Sequence, residues 1–202
     1  MNPDVLAEVR RLTAAEDDHL ARARARADAS APGPEVGSLL AWLATTTNAR
    51  AAVEVGACGG VSGLWIARGL AERGVLTSVE PDPHGHALAS EAFRSAGREG
   101  RVRAILGEPA TVLPRLSDGV YDLVLLQSRP EDLPAHLEHT RRLLRPGGVL
   151  AARRVLRQGS APDQAAEFLE TLAADEGFAT TVLPLDDGLA LATRVADPDS
   201  QK

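Results

Sequence analysis

Residues 54–62 read Glu-Val-Gly-Ala-Cys-Gly-Gly-Val-Ser, and Glu80 closes the next apolar run. An apolar strand, a glycine-rich turn opening a helix, and a carboxylate roughly 20 residues on form a nucleoside-binding arrangement. At Gly56 and Gly60 no Cβ keeps the backbone away from a ligand. Free N–H groups at a helix start attract a carboxylate or phosphate. Glu80 is then placed to accept hydrogen bonds from ribose hydroxyls. A dinucleotide site would want G-x-G-x-x-G, a spacing that Gly56, Gly59 and Gly60 do not give. The turn suits S-adenosylmethionine better, since that ligand brings an amino-acid carboxylate in place of a pyrophosphate. A nucleotide-binding oxidoreductase is disfavoured on the same ground.

The neighbouring residues are read in turn. Glu54 sits inside an apolar strand, where a carboxylate is costly unless hydrogen-bonded. Ser62 either contacts the cofactor carboxylate or caps the helix. Cys58 is the sole cysteine and reads as a small loop residue, so no intrachain disulfide can form. Trp42 and Trp65 read as core. His84, His86, His136 and His139 have no metal-ligand spacing, and His136 and His139 share a helical side that reads as solvated.

These residues sit in a chain of 202 residues, the size of one domain with a sizeable core. A formal net charge of -6 argues against nucleic-acid binding by bulk charge. Lys202 is the only lysine, so no internal lysine can serve as a base. Acids at positions 4, 8, 17 and 18 precede any long apolar run, which leaves no evident signal peptide. No run is long enough for a membrane span. The expectation is a cytoplasmic protein with no membrane partner.

The positioning elements follow from periodicity. Asn2-Pro3-Asp4 is a helix start, and Val5, Val9 and Leu12 repeat at helical spacing, predicting a helical arm over residues 4–28. Its Ala-Arg run at 21–26 reads as a solvated face. Ala31-Pro32-Gly33-Pro34 breaks the arm. A helix over Glu35–Thr46 follows, with Val36, Leu39, Leu40 and Leu43 on one side. From Ala51 strands alternate with helices. Strand runs are Ala52–Val55, Val75–Val79, Val102–Leu106, Tyr121–Leu126 and Val149–Ala152. Helical stretches are Ser62–Glu72, Gly85–Ala96, Pro109–Leu116, Ala135–Leu144 and Asp163–Glu176. Crossover helices imply a mainly parallel sheet. Arg145-Pro146-Gly147-Gly148 is a helix stop before the fifth strand. Thr180–Leu185 and Leu189–Val195 flank Asp186-Asp187-Gly188 as a β-hairpin. The plan divides the chain into an arm (1–30), a main domain (31–196) and a polar tail (197–202). It predicts an α/β, Rossmann-like class I methyltransferase fold. Its seven-stranded, mainly parallel sheet ends in an antiparallel hairpin, with helices on both faces.

Over residues 31–195 the chain resembles the O-methyltransferases that include the catechol and caffeoyl-CoA enzymes and bacterial relatives, and it is most similar to an actinobacterial branch. The resemblance rests on Pro34-Glu35-Val36-Gly37, the loop 54–62, Glu80-Pro81-Asp82, Gly107-Glu108-Pro109-Ala110 and Leu143-Leu144-Arg145-Pro146-Gly147-Gly148. It implies S-adenosylmethionine as cofactor and S-adenosylhomocysteine as product. The implied cofactor contacts are Glu54, Gly56, Ala57, Gly60, Ser62, Glu80, Pro81, Glu108, Pro109 and Gln127. Glu54 would stand near the cofactor's amino group and Glu108 near the adenine. The resemblance also implies a homodimer.

The family's metal half does not carry over. Its fourth strand ends in a phrase like Ile-Asp-Ala-Asp-Lys, where this chain has Leu126-Gln127-Ser128-Arg129-Pro130. Its fifth strand ends in Asp-Asn, where this chain has Arg153-Arg154. Gln127 offers one neutral oxygen, and two guanidiniums repel a dication. The relatives' basic lysine is Pro130. The expectation is metal-independent methyl transfer to a small-molecule acceptor and not to a nucleic acid, with an anion suited to Arg153 or Arg154. Gln127, Arg153 and Arg154 are the catalytic candidates. The alternative expectation is a non-catalytic relative that binds S-adenosylmethionine or S-adenosylhomocysteine without turnover.

Overall fold

The computed structural model describes residues 3–13, 15–156 and 162–196. The expected cap Asn2 and the tail 197–202 lie outside the described residues. Three helices precede the sheet: α1 (Pro3–Thr13), α2 (Asp18–Arg26) and α3 (Pro34–Thr46). The single arm expected over 4–28 is therefore two helices. Asp17 divides them: its side chain accepts from the His19 and Leu20 N–H groups and so caps a new helix.

The alternating part runs β1 (Ala51–Val55), α4 (Val61–Gly69), β2 (Val75–Glu80), α5 (Pro83–Ser95), β3 (Val102–Leu106) and the short α6 (Pro109–Val112). It continues with β4 (Tyr121–Leu126), α7 (Leu133–Leu143), β5 (Leu144–Arg153) and α8 (Pro162–Ala174), and closes with β6 (Phe178–Leu183) and β7 (Leu189–Arg194). The sheet order is β3-β2-β1-β4-β5-β7-β6. β1 to β5 pair in parallel, and β7 runs antiparallel to both β5 and β6. The expected mixed seven-stranded sheet is present.

Alternation along β4 explains the two cores. Leu123 and Leu125 pack with Val36, Leu40 and Ile66 on one face; Val124 and Leu126 pack with Leu137 and Phe168 on the other. Burial on both faces is why β4 reads as a continuous apolar run. At the opposite end of the sheet from the glycine turn, buried Asp122 accepts from the Arg50 and Ala51 N–H groups and from Arg145 Nε, each within 2.7–2.9 Å.

Two further expectations change. The Arg-Pro-Gly-Gly segment lies inside β5, not before it. Gly147 adopts φ +76, and a Cβ on Gly148 would stand 2.8 Å from the Tyr121 carbonyl oxygen. Glycine at both places lets the strand pass a register shift between Tyr121 and Leu123. Trp65 is core, but Trp42 is 59% exposed. The buried stripe of α3 is Val36, Leu40, Leu43 and Ala44, and position 42 lies about 200° around the helix from position 40.

Strand order reverses between β1 and β4. Their carboxyl ends flank the crevice where open α/β sheets bind ligands. Gly56 follows the first strand and Gln127 the second.

Candidate active site

A cavity of about 710 Å³ opens at this switch point, ample for a nucleoside-sized ligand. Gly56 forms part of its wall in a left-handed conformation (φ +86), and a Cβ there would meet the Gln127 carbonyl oxygen at 3.1 Å. Glu80 faces it from the end of β2. Its Oε2 accepts from the Ala57 N–H at 2.8 Å, and its Oε1 accepts from the Asp82 N–H at 3.1 Å. The carboxylate thereby ties the glycine turn to the start of α5, where Asp82 caps the helix through the Gly85 N–H. Pro81, Glu108 and Pro109 also line the cavity.

The other cofactor candidates lie behind the wall. Gly60 (φ +88) packs α4 against α5, where a Cβ would come within 2.8 Å of the Ala92 Cβ. Ala57 presents its N–H to Glu80. Glu54 and Ser62 are fully buried, and the Ser62 hydroxyl donates to Glu54 Oε2 at 2.7 Å. Ser62 thus bonds inward in place of capping its own helix. Burial pushes the Glu54 carboxyl up to about 7; Ser78 and Ser62 oppose the rise, nearby Glu80 adds to it, and Arg153 opposes it. The other oxygen, Oε1, has no hydrogen-bond partner among the described residues.

Gln127 joins the wall to this buried layer. Its Nε2 donates to the Gly56 carbonyl at 2.5 Å and to Ser62 Oγ at 2.9 Å. Its Oε1 accepts from the Arg153 guanidinium and stands 3.4 Å from Cys58 Sγ. Arg153 is 2% exposed. It also pairs with Asp186 in the hairpin turn and donates to the Ser30 carbonyl at 3.0 Å. The expectation that it could stand free to orient an anionic acceptor is therefore corrected: its donors are committed inside the protein. Arg154 turns the strand end at φ +61 and is half-buried away from the cavity wall. Asp28 is held below the ordinary carboxylate range, chiefly by the Ser30 hydroxyl and N–H, with Arg154 adding its charge. Cys58 is a turn residue as expected, and burial pushes its thiol up.

The cavity also carries residues that the sequence reading passed over. Ser128 Oγ lies 2.6 Å from His136 Nδ1. His136 is 6% exposed and lines the cavity, so it is not on a solvated face. It continues the buried stripe Leu133, Leu137, Thr140 of α7, a helical spacing that could have placed it. Arg26 from the Ala-Arg run also reaches the cavity wall.

The O-methyltransferase family model matches residues 2–195. A Mycolicibacterium vanbaalenii protein provisionally named an O-methyltransferase is 42% identical over 192 residues, covering 89% of this chain and 85% of its own. The chain belongs to the O-methyltransferase family. It is a class I S-adenosylmethionine-dependent methyltransferase by that membership. Among solved structures, cofactor-bound Rv0187 from MTB superposes with a TM-score of 0.87 at 28% identity, covering 96% of this chain and 98% of its own. TomG of Streptomyces achromogenes, an O-methyltransferase involved in tomaymycin synthesis and solved with S-adenosylmethionine, gives 0.86 at 26%, covering 96% of each chain.

Two groups that the family implies can be tested against these residues. The cofactor fits: Gly56, which lacks a Cβ, the Glu80 carboxylate and a cavity of adequate size meet at the carboxyl ends of β1 and β2. The family's divalent metal does not fit. Gln127 Oε1 already accepts from a buried guanidinium, and Arg153 places a fixed positive charge beside it. Among the described residues no group of three or more His, Cys, Asp or Glu side chains could hold an ion. Glu131 and Asp132, the nearest acids after β4, are ion-paired to Arg129.

Proposed function

We propose that this O-methyltransferase binds S-adenosylmethionine in the switch-point cavity and methylates a small-molecule acceptor without a divalent metal. The observation that carries the reading is the Gly56 turn tied to Glu80 through the Ala57 N–H, with Gly56 and Glu80 both lining the cavity. Each Glu80 oxygen accepts one backbone N–H, and a carboxylate oxygen can accept a second bond. Those remaining sites suit ribose hydroxyls. Glu108 and Pro109 would border the adenine, and Gly56 and Gln127 the methionine end. Glu54, Ala57, Gly60 and Ser62 would support the turn from behind. The bound cofactor supplies an electrophilic methyl on a sulfonium; the protein's part is to align an acceptor in line with it, and positioning is worth several kcal/mol.

The acceptor is read as a hydroxyl; Arg153 is already paired and gives no ground for an anion. The alternative of a binding-only relative gains nothing from the named relatives, two of which carry O-methyltransferase names. We further propose a cytoplasmic homodimer in which the arm 1–30 packs on a second copy. Val5, Val9, Leu12 and Trp42 expose 54%, 41%, 62% and 59% of their surfaces, and α1 lies against α3, so both helices contribute to this apolar area. No helix among the described residues is long and apolar enough to cross a membrane.

Calorimetry with S-adenosylhomocysteine tests the cofactor reading. Glu80→Ala should weaken binding by about 1.5–3 kcal/mol, the worth of a hydrogen bond to a charged group. Absence of binding by the wild type, or equal affinity in the variant, refutes it. Incubation of cell extract with labelled methyl donor, read by mass spectrometry, then identifies the acceptor.

A further inference from the structure

β4 leads into Gln127 and Ser128, and α7 brings His136 to the same wall of the cavity. The 2.6 Å contact between Ser128 Oγ and His136 Nδ1 is a short, direct hydrogen bond. Burial lowers the pKa of His136; the Asp132 carboxylate resists the shift, and neighbouring His139 reinforces it. The imidazole is therefore neutral near pH 7 and able to accept a proton. Packing alone would be served by a leucine here, since Leu133 and Leu137 flank it on the same stripe. A polar pair at a cavity wall needs a further reason.

We propose that Ser128 and His136 form a proton relay that activates a neutral hydroxyl acceptor, such as a phenol. Ser128 touches the acceptor oxygen and His136 holds the proton. The proposal rests on the methyltransferase reading above. The relay uses the tautomer with Nε2 protonated and the Nδ1 lone pair toward Ser128. As the acceptor oxygen forms its bond to the methyl carbon, its O–H bond breaks and the proton passes to Ser128 Oγ. The Ser128 proton moves at the same time to Nδ1, and the electron pair of the methyl–sulfur bond stays on sulfur. Serine ends unchanged and the imidazole ends as imidazolium, near Asp132. No oxidant, reductant or metal enters the balance. A carboxylate acceptor would need no such relay, so the pair selects for hydroxyls that are protonated in water.

The test uses the full chain saturated with S-adenosylhomocysteine and 4-nitrophenol as probe. The phenolate form of the probe absorbs visible light, so its ionisation on the protein can be followed directly. Saturation is established first by calorimetry. A protein that fails to bind S-adenosylhomocysteine overturns the methyltransferase reading and the relay together; one that binds it isolates the relay. In the wild type the bound probe should ionise on the order of one pH unit below the free probe. The His136 nitrogens should move to their imidazolium positions in ¹⁵N spectra as it binds. His136→Asn keeps an amide near the Nδ1 position without accepting a proton, and Ser128→Ala removes the bridge; both should abolish the shift while retaining S-adenosylhomocysteine. With an identified acceptor, His136→Asn should lower kcat/KM on the order of 100-fold. An acceptor already ionised in solution should be nearly unaffected. An unshifted probe in the wild type, no detectable probe binding at millimolar concentration, or a shift that survives both substitutions overturns the proposal. The wild-type spectra decide even if either variant fails to fold.

Discussion

Replacing Arg153 with Met should be among the most damaging single changes in this fold, although it removes a residue that cannot reach the cavity. The guanidinium ties together four separate segments: Gln127 after β4, β5 itself, Asp186 in the β6–β7 turn and Ser30 after α2. Methionine can fill most of the stem's volume, so packing is largely kept. What is lost is the partner of Asp186, whose side chain is only 18% exposed. Removing one member of a buried pair costs about 3–5 kcal/mol, because the other charge stays behind uncompensated. The partial exposure of Asp186 points to the lower end, about 3 kcal/mol. At roughly 2–4 °C per kcal/mol for a chain of this size, the melting temperature should fall by about 6–12 °C. Urea unfolding of Arg153→Met, Asp186→Asn and the double variant gives the coupling energy. The double variant should recover most of the loss, since neither charge is then left alone. A loss below about 1 kcal/mol in Arg153→Met, or a double variant no better than the single one, would refute the idea that the pair is what makes the arginine costly to remove.

Three other outcomes follow from the same geometry. The Glu54 carboxyl is raised from 4.5 to about 7, so the folded state holds a proton that the unfolded chain releases. Its contribution is full below about pH 4.5 and is lost as pH rises to about 7, a change of about 3 kcal/mol that Glu54→Gln should remove from the pH dependence of urea unfolding. Calorimetric titration with Mg²⁺ or Ca²⁺ should be flat and EDTA should leave activity unchanged; loss of activity in EDTA with recovery in Mg²⁺ would falsify the metal-free reading. Sedimentation of the full chain should give a dimer that Val9→Glu with Leu12→Glu converts to monomer; a wild-type monomer at micromolar concentration refutes the arm-mediated contact.

The proposed cofactor half of the site was legible because it is local. A glycine turn is contiguous in sequence, its conformation follows from missing Cβ atoms, and Glu80 stands at a fixed interval after it. Strand alternation and the closing hairpin were equally readable from period and turn residues. Asp17 was missed as a helix divider because an acid is acceptable inside a helix and decisive only as a cap. His136 was grouped with His139 on a solvated helical side, against the spacing that puts it between Leu133 and Leu137. For Trp42 the reverse error operated: an aromatic was taken inward, though its position lies opposite the stripe of Val36 and Leu40.

Arg153 marks a deeper limit, because its sequence position shows only that a charge has replaced a metal ligand, not where the guanidinium points. Strand alternation allowed just one of Arg153 and Arg154 to face the cavity. In the structure neither does, since β5 ends at Arg153 and Arg154 turns away in a left-handed conformation. The side chain of Arg153 instead lies beneath the wall, with Gln127, Asp186 and Ser30 as acceptors. A bound dication could hold two acceptor oxygens by ligand exchange; a guanidinium with its donors committed cannot. It fixes the position of Gln127, and through Gln127 the carbonyl of Gly56 and the hydroxyl of Ser62. The charge at the position where the resemblance implies a metal ligand therefore braces the Gly56 turn. On the proposed reading, the acceptor is met instead by Ser128 and His136, which reach the cavity.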